Sequence, residues 1–590
     1  MADEQHVVRT ISWTEIFSFP NVFKSFKMAI HPSKLLLALV AIALTTVLGC
    51  WVMDNIWAGA SDSNRVRPQE PWRYWMASNR SEFLDAKEKW VEEKKGRLTD
   101  AIGLVRPGKD ELTADRDKAL KGVSDDFGDA MKDTRKLLPK VYEYDLEVAD
   151  KDWEAAKKAF EDESDKEKAA KAKANAREAL VNARRAALKT YVDSKNRLAR
   201  VKGGKIFASF LDWELYCMSN AFSAVRRGNF STGLGDLYAA RGKMTPAAYQ
   251  PDQKDQPLTV TAGTRDEEAL GLLSWLVLMA WGLWWMVTTF KWYSLIYVVV
   301  SLAIWAVLGG AICRIAALHA AREEKISLVS AVKFGTSKFM SFFAAPLLPL
   351  VIIVIIGGAV AAVAFVAALV PYAGEWFVGI FFLLALIAGA MMAFLTVGLV
   401  GGAPLMWPTI AVEGSDSFDA ISRSFSYVFN RPFRYALYWL AAAIHGTICY
   451  LFVRLFAFLT LRATHTWVGW GMRIKPRPEY ADGAGKLHVM WAPPTFDTFH
   501  GPMQTEAMSA SESAAACILA LWVYLVIGLV LAFVACYFFS AATNIYMLLR
   551  RKVDATDLDD VYVEEPEEQP EADEVAPAEE EQDKGDAEEK

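Results

Sequence analysis

Few side chains in the apolar stretches of this 590-residue chain could take part in chemistry. His445 lies about ten residues into an apolar run, near mid-depth of a bilayer core at ~1.5 Å of helix rise per residue. An ionisable group at that depth is costly and is a functional candidate by default. Cys449 follows one helical turn later on the same face. The pair could ligate a metal, or His445 could stay neutral and hydrogen-bond to a neighbouring helix; the second reading is preferred. Arg454 falls on the opposite face near a span end, where it can snorkel, so the three residues do not form a proton relay.

A second group follows the fifth apolar run, in the stretch from Pro408 to Tyr427 that contains Glu413-Gly414-Ser415-Asp416. Asp416 is placed to cap a helix, with Asp419 in the first turn. Phe418, Ile421, Phe425 and Phe429 share one face, and Asp419 and Arg423 are spaced to pair at i, i+4 on the other. Asn430-Arg431-Pro432 ends the helix. The candidate residues of this amphipathic cytosolic helix are Glu413, Asp416, Asp419 and Arg423.

Motifs for nucleotide, metal or nucleophile chemistry are missing. The chain has no Gly-x4-Gly-Lys-Ser/Thr, His-Glu-x-x-His, Gly-x-Ser-x-Gly or Gly-x-Gly-x-x-Gly in a fitting context. Of six cysteines, five lie in or beside apolar runs, and only Cys217 is in a polar region; none has zinc spacing. We expect no catalytic residue, cofactor or metal.

These residues must be positioned by membrane helices. Hydrophobic residues make up 53% of the chain and gather into seven runs: Leu35–Met53, Ala269–Phe290, Leu295–Cys313, Phe342–Val370, Trp376–Val400, Tyr435–Leu459 and Ala514–Phe538. Runs of about twenty apolar residues match a bilayer core and exclude a soluble globular protein. Basic clusters at Lys24/Lys27/Lys34, Arg314–Lys338, Arg423–Arg434 and Arg550–Lys552 all ask to be cytosolic. Seven crossings would put the termini on opposite sides. Six satisfy the clusters if Ala269–Phe290, with its four tryptophans, lies in the interface or re-enters. Six spans are preferred; seven, with a cytosolic insertion, stay open. The fold class expected is therefore all-α, a polytopic transmembrane helical bundle.

The chain divides into a cytosolic amphipathic N-terminal segment (1–33), an anchor (34–53), a charged insertion (54–268), a membrane bundle (269–548) with an outer loop (461–513), and a tail (549–590). In the insertion, Leu84, Val91, Leu98, Ile102 and Val105 mark one helical stripe, and Leu180, Ala187, Tyr191 and Leu198 another. It reads as a helical hairpin or small antiparallel coiled coil outside the cytoplasm. Its return, from Ile206 to Arg227, carries an apolar face for core packing or for the membrane surface. In the fourth run, Pro346, Pro349 and Gly357-Gly358 suggest a kinked or broken helix. From Asp554 onward, 18 acidic residues face 2 lysines, a net −16 that leaves +10 for the rest of the chain. So acidic a segment, poor in large apolar residues, is expected to be disordered.

Three stretches resemble an uncharacterised family of bacterial multi-pass membrane proteins: Pro408 to Asp416, Gly309-Gly310-Ala311-Ile312-Cys313-Arg314, and Ile545 to Arg551. More distantly, the connection after Glu413-Gly414 is similar to that of the membrane domain associated with some glycerophosphodiester phosphodiesterases. The likeness runs from about Leu295 to Asp560 plus the first anchor. It implies a fold and a place in the bacterial inner membrane, and brings no catalytic residue. The leading expectation is a scaffold, organiser or regulator of an envelope complex, with membrane lipids around it and protein partners on the insertion and acidic tail. The alternative is a transporter or lipid-handling domain lined by His445 and the broken fourth helix, and a membrane-embedded enzyme comes third. Nucleic acid and anionic lipid are both disfavoured by the tail's charge.

Overall fold

The computed structural model describes residues 23–60, 64–67, 69–77, 79–162, 164–230, 270–472, 486–496, 498–501, 508 and 510–563. Residues 1–22, 231–269, most of the outer loop between 473 and 509, and the tail from residue 564 lie outside this set. Among the described residues every regular element is a helix. Seven are long and apolar enough to cross a membrane: Pro32–Ala58, Leu272–Thr289, Lys291–Arg322, Phe339–Ala368, Ala373–Glu413, Pro432–Met472 and Ser511–Val553. The chain is an all-α polytopic membrane protein.

In chain order the elements begin with α1 (Lys24–Ala29) and α2 (Pro32–Val47), which runs through a π-helical stretch into α3 (Asp54–Ala60). The insertion supplies α4 (Glu70–Met76), α5 (Arg80–Glu92), α6 (Lys94–Gly103), α7 (Asp110–Asp125), α8 (Phe127–Glu161), α9 (Lys166–Lys202) and α10 (Ile206–Arg226). The membrane part continues with α11 (Leu272–Thr289), α12 (Lys291–Arg322), α13 (Leu328–Ser337), α14 (Phe339–Ala368), α15 (Ala373–Glu413), α16 (Ser417–Asn430), α17 (Pro432–Met472), α18 (Lys486–Met490) and α19 (Ala510–Val553).

The bundle core gathers α2, α12, α17 and α19 around Leu37, Ile312, Tyr438, Cys449 and Phe533. Gly309 and Gly310 set its closest approaches. A methyl at Gly310 would stand 2.7 Å from the Phe342 ring, and one at Gly309 2.6 Å from Trp407, so the small-residue pair is what lets α14 and α15 seat on α12. Helix α14 is continuous from Phe339 to Ala368, with Pro346 and Pro349 inside it. The broken helix that the transporter reading would need is not seen there. Pro346 is the eighth residue of the helix and cannot donate to Phe342 O; the Trp407 indole on α15 supplies that donor instead, at 2.9 Å.

Helices α8 and α9 form an antiparallel hairpin that turns around Asp162–Asp165. Tyr142 meets Tyr191 at 5.1 Å between ring centroids, and Arg184 meets Asp150 at 2.5 Å, as opposed positions should. Its base has a core of Leu98, Ile102, Leu112, Val123, Leu138 and Leu198. The stripe expected through Leu84 and Val91 is shifted. Leu84 is exposed, and Phe83, Lys87 and Trp90 are buried instead, because the break at Glu93 between α5 and α6 resets the helical phase. At the foot of the hairpin Val66 and Gly204 exchange backbone hydrogen bonds of 3.1 and 2.8 Å. Gly203 there has φ +81°, and a Cβ would lie 2.8 Å from Trp90.

The insertion is fastened to the bundle through Asp54. Its buried carboxylate accepts from the Phe207 and Ala208 amides at 2.8 and 3.1 Å and from the Tyr293 hydroxyl at 3.0 Å. It therefore caps the N-terminus of α10 and joins it to α12. From there α10 crosses the bundle. Phe207 contacts Gly49 and Tyr297, and Phe222 stacks on Tyr450 at 5.2 Å, so fifteen residues and about 22 Å of helix bridge two separate spans. Helix α11 packs antiparallel on α10. The Trp213 indole donates to Leu278 O at 3.0 Å, and Leu272 N donates to Asn229 O at 3.0 Å. Core packing rather than a bare membrane surface thus takes Ile206, Phe207 and Trp213, while Leu215 stays exposed.

Candidate functional site at the basic end

The end of the bundle opposite the hairpin gathers the residues of the Glu413-Gly414 stretch. Helix α15 runs 41 residues and stops at Gly414, whose φ of +65° is a left-handed helix ending. A helix terminus leaves its last carbonyls without helical partners and carries the negative end of the dipole. Here cations and one amide take them. Arg314 Nη1 donates to Ala411 O at 2.9 Å, Lys338 Nζ to Gly414 O at 2.5 Å, and Tyr562 N to Val412 O at 2.8 Å.

Glu413 is the centre of the charged network. Arg423 approaches it with two nitrogens, Nε to Oε2 at 2.9 Å and Nη1 to Oε1 at 3.1 Å. Arg550 Nε lies 3.2 Å from Oε1, and the Tyr546 hydroxyl donates to the same oxygen. The carboxylate is almost fully enclosed, with 8% of its side chain exposed. Beside it the Tyr427 hydroxyl donates to Asp554, which lies 3.8 Å from Arg423. Burial first, and then Asp554, push the Tyr427 phenol above its ordinary range.

Asp416 caps α16 as its position predicts, accepting from the Asp419 amide at 2.9 Å. The pairing expected between Asp419 and Arg423 is replaced: Arg423 turns to Glu413. Asp419 is exposed on the first turn, whereas Glu413 is enclosed, where screening is weaker and a bidentate contact is worth more. Arg314, Lys338 and Arg550, read only as cytosolic basic residues, complete the site together with Tyr427, Tyr546 and Asp554, which were not singled out. Tyr546, Arg550 and Asp554 recur every fourth residue on one face of α19 and its end, a signal the sequence did carry.

The start of the tail departs from expectation, while the acidic stretch from residue 564 lies outside the described residues. Its first residues, 554–563, form a strap back across this site. Val561 is buried in the bundle core. Arg550 binds Asp560 O at 2.6 Å and its carboxylate at 3.0 Å, Arg322 Nε donates to Asp559 O at 3.3 Å, and Arg314 Nη2 donates to Tyr562 O at 2.8 Å. The Tyr562 ring covers Gly414, where a Cβ would stand 2.6 Å from it. Acidic composition alone predicts solvation, but here three backbone carbonyls of the strap pair with three arginines.

His445 is elsewhere, about a third of the way along α17. Its Nδ1 lies 2.9 Å from the Tyr537 hydroxyl and its Nε2 3.4 Å from Cys449 Sγ. Tyr537 donates onward to Ala442 O at 2.9 Å. One proton arrangement satisfies all four groups: Cys449 S–H to Nε2, Nδ1–H to the Tyr537 oxygen, and Tyr537 O–H to the carbonyl. That is a neutral histidine with both nitrogens occupied. Among the described residues no group of three or more His, Cys, Asp or Glu could hold a metal. The network at Glu413 can bind and position; it presents no nucleophile next to a free base. No family model, no curated protein and no solved structure is similar to this chain.

Proposed function

We propose that the protein is a scaffold or regulatory component of a complex in a bacterial inner membrane. The hairpin is its partner-binding arm outside the cytoplasm, and the strapped basic end is its cytosolic face. The observation that carries this reading is the distal hairpin. Among the described residues between Tyr142 and Lys189 only Ala149 and Ala187 are buried, so these paired helices protrude without burying a core of their own. A long, polar, well-anchored projection is expensive to order and is suited to contact another molecule.

The course of α10 supports six crossings. Helix α11 packs on α10 and α4, and α10 itself runs from the end of the first span at Gly49 to Tyr450 on α17. This is the interfacial position that the basic clusters require of Ala269–Phe290. Side and partner can be tested together. Cys217 is buried and burial pushes its thiol up, so it is a poor reporter. Ser164→Cys, exposed at the hairpin turn, should react with an impermeant thiol reagent in intact cells. Replacing residues 142–189 with a short turn should release a stoichiometric partner while the bundle still folds. Labelling only after lysis would overturn the sidedness, and partners unchanged by the deletion would overturn the arm.

A further inference from the structure

The basic end holds a second cluster that the Glu413 network does not use. Lys24, Lys27, His319 and Asn544 line a cleft between α1, α12 and α19, with Met28 and Met547 on its wall. Glu323 stands at its rim, and Leu558 of the strap closes one side. Helix α1 is divided across this boundary. Phe26 turns inward to Phe533 at 5.9 Å, while Lys24 and Lys27 are exposed. Asn544 Nδ2 donates to Ser25 Oγ at 2.7 Å and fixes α1 against α19. Among the described residues neither lysine forms an ion pair.

A turn away, Lys34 is fully buried at the start of the first span. Its ammonium, with three protons to place, donates to Ser540 Oγ at 3.4 Å and has no ion pair among the described residues. His31 stands beside it, 6.0 Å from the His319 ring, its Nδ1 buried without a hydrogen bond. Burial, then Lys34 and Lys325, hold the His31 imidazole below its ordinary pKa. Glu323 is the carboxylate that faces these cations. Burying an ammonium on one long hydrogen bond is costly unless an anion approaches it.

We propose that this cleft binds a phosphate group, with Lys24 and Lys27 donating to its oxygens. The buried charge of Lys34 behind them makes the cleft attractive to anions. Because α1 lies where the first span begins, the cleft is at headgroup depth, and Met28, Met547 and Leu548 offer a wall to the first carbons of an acyl chain. An anionic phospholipid headgroup fits both halves; a soluble phosphoester shares the phosphate chemistry. The inference does not depend on what the hairpin binds.

The test uses the full chain in non-ionic detergent, titrated separately with short-chain phosphatidylglycerol and with inorganic phosphate. Affinity is read from the shift in thermal midpoint. Lys24→Gln/Lys27→Gln removes two exposed side chains, so the packing of α1 survives, and Lys333→Gln serves as a basic control away from the cleft. At ~1 kcal/mol for each lysine near an anionic headgroup, the double variant should bind phosphatidylglycerol about 30-fold more weakly, with the control unchanged. A response to phosphatidylglycerol that weakens in the double variant, with none to phosphate, upholds the site with a lipid source. An equal response to inorganic phosphate, lost in the double variant, upholds it with a soluble source. Equal phosphatidylglycerol affinity in the double variant and the parent overturns it.

Discussion

Removing the Glu413 carboxylate should free the strap. In Glu413→Ala three donors lose an acceptor at once. Tyr546 is completely buried, and its hydroxyl loses a charged partner, a contact worth ~1.5–3 kcal/mol. Arg550, with 12% of its side chain exposed, keeps Asp560, so its loss is well below the ~3–5 kcal/mol of an uncompensated buried charge. Arg423 is 41% exposed and contributes under ~1 kcal/mol. A total near 3 kcal/mol is reasonable, and it falls where Tyr562 is bonded to the adjacent carbonyl, Val412 O. Unfolding of a chain this large is not two-state, so a local readout is preferable. Hydrogen exchange at the Tyr562 amide reports opening of the strap, and ~3 kcal/mol corresponds to an increase of more than about a hundredfold. Arg423→Gln should raise the same rate only about fivefold or less. If both substitutions raise it by the same few-fold, Glu413 is not the centre of the network and the reasoning fails.

Other outcomes can be checked in the same preparations. Gly414→Ala places a side chain at φ +65° and against the Tyr562 ring, so the strap should become sensitive to limited proteolysis between Asp554 and Val563; unchanged cleavage would contradict this. His445→Ala removes two neutral hydrogen bonds while Tyr537 keeps Ala442 O, so stability should fall by about 1–2 kcal/mol with partner retention unaffected. Loss of assembly in that variant would move His445 from packing to function. Glu214 on α10 has a carboxyl pushed up to about 8 by burial, with Oε1 lacking a hydrogen bond. Its neutral form favours the folded state, so the stabilisation is complete below its ordinary pKa and is lost as pH rises through about 8. Glu214→Gln should flatten that decline in thermal midpoint between about pH 5 and 9, and an unaltered slope would rule out Glu214 as its source.

The membrane helices were legible because a bilayer imposes one length and one polarity on them, and each apolar run corresponds to one of the seven long helices. The Asp416 cap and the close approach at Gly309-Gly310 were legible for similar reasons, since each is decided within one turn of chain. What failed to show depends on distance along the sequence. Val412 and Tyr562 meet only after the bundle has brought α15 and α19 together, and local composition there suggested a solvated acidic tail. Arg423 had two carboxylates within reach of its sequence neighbourhood. The choice between Asp419 and Glu413 was made by burial, which spacing does not encode. The stripe through Leu84 and Val91 failed because it assumed an unbroken helix across Glu93.

The Asp54 clasp makes the hairpin a lever. Helix α8 alone has 35 residues, or about 50 Å, and the contacts that hold the hairpin's foot lie within a few residues of Asp54, Val66 and Gly204. A sideways load at the tip is therefore multiplied severalfold at the fulcrum. There the same carboxylate grips α10 and the Tyr293 hydroxyl of α12. Helix α12 carries Arg314 at its far end, and Arg314 holds both α15 and the strap. One helix thus connects the clasp to the strap, and a torque received at one end of the bundle has a mechanical route to the other.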